Sequence, residues 1–338
     1  MPRFSPGDLR RPLIQAPMAA GPSTPALAAA VGRAGALGFL AGGYLTADAL
    51  AAQIAETRAL PGGAEPFGVN LFVPQPVAEP HLIAAYREEI KRSESPRYRV
   101  DPGEPDLTDA DHWAEKLQML LDDPVPVVSF TFGVPEAEVV ARLREQGSYT
   151  IGTVTSVDEA RRAAGVGIDA LCVQGPEAGG HRGTFDPAAT PPTAPLPALL
   201  AEIRAVTDLP LIAAGGLATA DHVAHIRGLG AALTQHGTAF LRADEAGTQP
   251  LHRDALTEFP ETVVTRAFSG RWARALRNRF TDEHPAAPAA YPTVNHVTRP
   301  LRAAASRQSD PDGMSMYAGV NHRLATPGPA SRILDALG

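Results

Sequence analysis

Eight short apolar runs punctuate this chain, and each is continuous where a half-exposed strand would alternate: "PLIQAPM", "ALGFLA", "FGVNLFV", "VPVVSFTF", "YTIGTV", "DALCVQ", "LPLIAA" and "AALTQHGTAF". A strand that is apolar at every position is buried on both faces, which requires helices on both sides of a parallel sheet. The intervening stretches supply them. "TPALAAAVGRAG", "TADALAAQIAETRAL", "SVDEARRAAGVG" and "TADHVAHIRGLG" open on Thr or Ser at the N-cap position, and most close on Gly. Eight βα units are the number that closes a cylinder, so the expected fold is α/β, a (β/α)8 TIM barrel over residues 12–243.

The count works only if 74–123 is an insertion, a polar, proline-punctuated stretch with two helical patterns. After the barrel, "LHRDALTEF" and "SGRWARALRNRF" read as helices. The expected division is therefore a barrel at 1–245 with its insertion near 74–123, followed by a mostly helical lid at 246–338.

Composition narrows the function. A net charge of −7 offers no electrostatic reason for a nucleic-acid or anionic-membrane partner. The opening residues hold no apolar leader core, so a cytoplasmic location is expected. Cys172 is the only cysteine, and its place in "DALCVQ" predicts a small buried strand residue. Lys91 and Lys116 are the only lysines against 28 arginines, and neither ends a strand-like run, which disfavours Schiff-base chemistry.

The working face of such a barrel lies at the C-terminal ends of its strands. "AAGG" after the seventh strand and "QHGT" in the eighth place Gly215, Gly216, Gly237 and Thr238 where backbone N–H groups can meet a phosphate. Gly216 is read here as a strand residue that would tolerate a β-branched side chain. After the sixth strand comes "VQGPEAGGHRGTF", in which Gly179, Gly180 and Gly183 surround His181. Those glycines are expected to make room for a flat ligand that the histidine faces. "GRAGALG" precedes a strand and is no dinucleotide fingerprint. His222 and His225 have a helical spacing but no carboxylate–histidine partner set, so no metal is expected.

Together and in order, "QAPMAAGPSTP", "LAGGY", "FGVNLF", "VQGPEAGGHRGTF", "IAAGG", "QHGTAFL", "TRAFSGRWARALRNRF" and "MYAG" resemble the nitronate monooxygenase family, once called 2-nitropropane dioxygenases. The resemblance implies an FMN-dependent barrel that oxidises alkyl nitronates with O2 to a carbonyl compound and nitrite. It implies backbone around Pro17, Met18 and Ala19 beside the isoalloxazine, with Asn70 and Gln174 hydrogen-bonding the flavin. Gly179 and Gly180 would pack near it, and Gly215, Gly216 and the run Gln235, His236, Gly237 and Thr238 would hold the phosphate, His236 through its backbone only. His181 matches the catalytic histidine, a general base for the α-proton of a nitroalkane. The family commonly has Gln after its late Ala-Gly; here Val320 and Asn321 follow Gly319.

The expected partners are a small nitronate and O2, with the chain a monomer or homodimer. Two alternatives stand: a flavin-dependent, NAD(P)H-oxidising enzyme like the enoyl-acyl carrier protein reductases, and a flavin-binding protein without catalysis.

Overall fold

The computed structural model describes residues 3–76 and 79–338. Its eight barrel strands are β1 (Leu13–Gln15), β2 (Gly38–Ala41), β3 (Phe67–Phe72), β4 (Val127–Thr131), β5 (Tyr149–Val154), β6 (Ala170–Gln174), β8 (Leu211–Ala214) and β9 (Leu233–His236). Between β6 and β8 lies β7, a two-residue strand at Gly180–His181 that belongs to another sheet. The barrel strands pair in parallel in chain order, and β9 returns to β1. Closure comes where Leu37 N–H donates to Leu13 O at 3.0 Å and Gln15 N–H donates to Leu37 O at 2.9 Å. The chain is a TIM barrel, with all eight strands where the apolar runs predict them. Inside, Ile14, Phe39, Val127, Ile151, Cys172 and Ile212 fill the cylinder.

The outer helices α1 (Pro25–Arg33), α2 (Ala47–Ala59), α7 (Val157–Gly165) and α9 (Ala220–Gly228) are capped by Thr24, Thr46, Ser156 and Thr219. Each side-chain oxygen accepts a backbone N–H in the first turn. Two further helices of this layer come from outside the simple repeat. Of the inserted α3 (Pro80–Ser93), α4 (Ser95–Tyr98) and α5 (Trp113–Asp122), only α5 packs into the barrel core, through Leu117 and Leu120. At the end of the chain, α13 (Ala330–Leu337) places Ile333, Leu334 and Leu337 against Leu27, Val31 and Val223. It thus fills the position after the eighth strand. No helix among the described residues is long and apolar enough to cross a membrane.

A second core joins α3 and α4 to the C-terminal segment: Tyr86, Ile90 and Tyr98 pack with Phe268, Phe280, Val297 and Leu301. Here one expectation is corrected. "SGRWARALRNRF" is not a helix; it contains β11 (Ala273–Leu276), antiparallel to β10 (Thr262–Thr265) on one side and to β7 on the other. Ala, Arg and Leu favour helix locally, but strand partners on both sides override a propensity worth tenths of a kcal/mol per residue.

Glu94 ties this second core together. It is fully buried, and Arg279 donates to both its oxygens at 2.7 and 2.9 Å. His284, also buried, reaches Glu94 at 3.4 Å and Glu89 at 2.8 Å through its two ring nitrogens. Burial alone pushes the Glu94 carboxyl up, but the bonds from His284 and Arg279 outweigh it and hold the group at about 2. For His284 burial pushes down, and the two carboxylates outweigh it and raise the imidazole. The signs follow from linkage. The Glu94 contribution is present above the ordinary carboxylate range and is lost as pH falls toward about 2. The His284 contribution is present below the ordinary histidine value and is lost as pH rises through its raised one. Glu94→Gln should destabilise the protein by about 3 kcal/mol, since it leaves Arg279 and His284 short of their counter-ion. Thermal melts across pH should show that loss at neutrality and a flatter acid limb in the variant. An unchanged acid limb would show that Glu94 is not the titrating anchor.

Candidate functional site

At the C-terminal mouth of the barrel lies a cavity of about 730 Å³. Every residue assigned to the site from sequence lines it. Pro17, Met18 and Ala19 follow β1; Asn70 lies on β3 and Gln174 ends β6. Gly179, Gly180 and His181 come from the next loop, Gly215 and Gly216 follow β8, and Gln235, His236, Gly237 and Thr238 follow along β9. Convergence on one cavity is a geometric fact; the role of each residue is a separate matter.

The loop after β1 is a tight turn. Ser23 Oγ accepts from Met18 N–H at 2.9 Å and from Gln15 Nε2 at 3.0 Å, while Ala20 takes a left-handed φ of 63°. Asn70 Oδ1 accepts from Ser129 Oγ at 2.8 Å and Thr131 Oγ1 at 3.0 Å. That fixes the amide and leaves its N–H2 without a protein acceptor among the described residues, so it can donate to a ligand. Gln174 is committed to its own loop: Nε2 donates to His181 O at 3.0 Å, and Oε1 accepts from Gly183 N–H at 2.8 Å.

On the β8–β9 side, the backbone N–H groups of Gly216, Leu217, Gly237 and Thr238 donate to no group among the described residues. Unpaired, adjacent N–H groups at a loop mouth form an anion cradle. The reading of Gly216 as a tolerant strand residue is corrected: it lies beyond β8 at φ +69°, and a Cβ there would stand 3.0 Å from Glu177 Cβ. His236 is a brace for this cradle. Its Nδ1 is 3.1 Å from Leu217 O and its Nε2 is 2.8 Å from Thr234 Oγ1. A carbonyl only accepts, so Nδ1 carries the proton. Burial lowers the ring to about 4 and keeps it neutral. Asn321, at the family-departing position, donates from Nδ2 to Gly216 O at 2.7 Å.

His181 stands on the opposite wall. Gly179 makes room, but for the chain itself: a Cβ there would lie 2.5 Å from Ala318 C and Gly319 N. β7 pairs His181 with Ala273, and Ser269 Oγ lies 2.8 Å from His181 Nε2. Nδ1 is left as the ring nitrogen with no protein partner among the described residues. The imidazole sits among aromatic rings, with centroids 5.1 Å to Tyr317, 5.5 Å to Tyr291 and 5.8 Å to Phe132. Burial, then the charges of Arg271 and Arg302, push it down to about 3.

Of these arginines and tyrosines, Arg271 and Tyr317 lie inside the quoted runs "TRAFSGRWARALRNRF" and "MYAG" without a role assigned to them, and no motif marks Arg302 or Tyr291. Arg271 is fully buried, its guanidinium 3.9 Å over the Phe132 ring. Arg302, on α12 (Thr293–Arg307), lines the cavity and bonds Ser315 Oγ at 2.9 Å and Asn295 Oδ1 at 2.5 Å. Among the described residues both cations bond only neutral oxygens. No aspartate or glutamate among the described residues lines the cavity. Cys172 does line it, as a buried strand residue whose thiol burial pushes up to about 12.

Known proteins resemble this chain over nearly its whole length. The nitronate monooxygenase family profile matches residues 8–338. A probable nitronate monooxygenase of Staphylococcus aureus is 37% identical, covering 97% of this chain and 93% of that protein. Among solved structures, a nitroalkane oxidase from Streptomyces ansochromogenes superposes with a TM-score of 0.93 at 46% identity, covering 98% of this chain and 96% of that one. FabK from Thermotoga maritima aligns with a TM-score of 0.72 at 26% identity, covering 97% and 92%. With a match over almost its whole length and its cavity at the catalytic mouth of the barrel, the chain belongs to the nitronate monooxygenase family, a family of oxidoreductases.

Proposed function

We propose that this protein is an FMN-dependent enzyme that oxidises alkyl nitronates with O2 to a carbonyl compound and nitrite. The observation that carries the reading is the charge pattern of one cavity: an unpaired N–H cradle on one side, His181 on the other, Arg302 in the wall with the charge of buried Arg271 acting on His181, and no carboxylate among the described residues that line it. Such a wall suits a ligand with a phosphate and a second, anionic ligand beside it. FMN, when bound, supplies the electron acceptor. Gly216, Leu217, Gly237 and Thr238 would hold its phosphate, and the free Asn70 amide would donate to the ring system. The likeness to the Streptomyces nitroalkane oxidase, stronger in both identity and TM-score than that to FabK, favours a nitro compound as reductant over NAD(P)H.

His181 is neutral at physiological pH, as a base must be, yet a group held at about 3 is a weak proton acceptor. Its acceptance of a proton gains support only as negative charge develops on the nitro group beside it, offsetting burial and the repulsion of Arg271 and Arg302. A preformed nitronate brings that charge with it. We therefore read nitronates as the main substrates and proton abstraction from nitroalkanes as the secondary activity, with His181 as its base.

Two outcomes are expected. Acid precipitation of the purified protein should release FMN, one per chain; recovery of FAD, or of no flavin, would sink the cofactor assignment. His181→Asn should lower turnover of neutral nitroalkanes by roughly a hundredfold, the usual contribution of a positioned base. It should lower nitronate turnover much less, with flavin content unchanged. Equal loss on both substrate forms would make His181 a binding residue instead of a base.

A further inference from the structure

Lys116 is one of two lysines in the chain and is almost completely buried. From α5, its Nζ reaches Asp111 Oδ2 at 2.9 Å and Gly42 O at 2.8 Å. The other oxygen of the same carboxylate, Asp111 Oδ1, accepts the backbone N–H of Tyr44 at 2.7 Å. The inserted segment thus grips the loop after β2 by a carbonyl and by an N–H two residues later. Tyr44 takes a φ of 68° in that loop, and Asp111 and His112 are left-handed too, at 54° and 51°. A bulky L-residue keeps this conformation only where its surroundings over-determine it, and such residues gather at working sites. Burial disfavours the charge on both members of the pair, lowering Lys116 and raising Asp111, and each opposes the shift in the other.

What the grip achieves is the placement of one hydroxyl. Tyr44 lines the cavity, and its Oη accepts from Tyr291 Oη at 3.2 Å. Because Tyr291 supplies that proton, the Tyr44 O–H remains free to donate. The Tyr291 ring lies 5.5 Å from His181, so the donor belongs to the same chamber. Burial, the largest influence, pushes the Tyr44 phenol well up and keeps it protonated. A nitronate carries its negative charge on two coplanar oxygens, and a neutral phenol within the field of the Arg302 charge is a donor matched to one of them.

We propose that Tyr44 donates a hydrogen bond to a nitro-group oxygen of the nitronate, and that Lys116 and Asp111 are positioning residues that hold it there. The proposal rests on the nitronate reading above. Its binding half can be tested apart from catalysis, because inorganic nitrate is a planar oxyanion that carries no oxidisable carbon. The flavin-loaded protein and its Tyr44→Phe, Lys116→Met and double variants would be titrated with nitrate by calorimetry, and their KM and kcat measured on ethyl nitronate. Tyr44→Phe should weaken nitrate binding and raise KM by roughly ten- to a hundredfold, the range for a hydrogen bond to a charged group, with kcat less affected. Lys116→Met should give a similar loss in the Tyr44 background and almost none once Tyr44 is Phe, since coupled residues are not additive. Tyr44→Phe removes a single oxygen and tests the donor even if Lys116→Met does not fold. Unchanged nitrate affinity in Tyr44→Phe, or no nitrate binding by the wild type, overturns the donor; additive losses overturn the brace. Tyr44-dependent nitrate binding without any nitronate turnover would instead uphold the donor and overturn the nitronate reading.

Discussion

The geometry of the site hangs on a short antiparallel pairing, Gly180 and His181 against Arg274 and Ala273. A loop holding three glycines in five residues has little intrinsic order. Left alone, it would not hold an imidazole within the half-ångström that positioned chemistry needs. β11 supplies the order from more than ninety residues further along the chain. β11 is itself secured by β10, by Leu276 N–H donating to Met316 O at 2.8 Å, and by the second core on which it lies. The barrel therefore presents the histidine, and the C-terminal segment with α3 and α4 determines where it points. The Glu94 cluster holds inserted and C-terminal helices together, so an ion network outside the cavity lining supports the strand that orders His181.

The same dependence explains the glycines. Read along the sequence, "GGHRG" looks like space for a ligand. In the fold, the missing Cβ of Gly179 is occupied by the backbone of Ala318 and Gly319. Gly319 N–H in turn donates to Thr238 Oγ1 at 2.9 Å, and Val320 N–H donates to Glu177 O at 3.1 Å. One short segment thus joins the loop after β6, which carries His181, to the anion cradle. Asn321 completes the clasp through Gly216 O. At a position where the family commonly has glutamine, this chain keeps an amide one residue further on and uses it on the cradle.

The barrel was legible because its signal is local and repeated: continuous apolar runs, capped helices and glycine after the strand. The residues that line the cavity from the strand ends were legible for the same reason. What could not be read comes from long-range pairing. β11 is written in Ala, Arg and Leu, and nothing nearby announces its strand partners. Arg302 and Tyr291 arrive from the C-terminal segment, and Lys116 sits in a segment that reads as a polar insertion. Its meaning depends on α5 turning one face, with Lys116, Leu117 and Leu120, into the protein. Even the scarcity of lysine became informative only in three dimensions. A compact ammonium can serve a carbonyl and a carboxylate at one point, where a planar guanidinium needs a wider set of acceptors.

The electrostatics of the cavity follow from a choice that costs stability. Arg271, buried, and Arg302, half-buried, bond only neutral oxygens among the described residues, and withdrawing a guanidinium from water without a bonded carboxylate is unfavourable by several kcal/mol per ion in general. A surface optimised only for folding would place a glutamate nearby. Doing so would weaken the positive potential and one of the influences that lower His181, while burial, the larger influence, would still hold the imidazole down. Burial first, and these two cations second, hold the His181 imidazole low and neutral. Arg302 lines the cavity and leaves its wall positive, which would favour an anion there and offset part of the penalty of withdrawing the guanidinium from water. An anion held beside Arg302 would therefore be linked to the protonation state of His181, because each charge would shift the other.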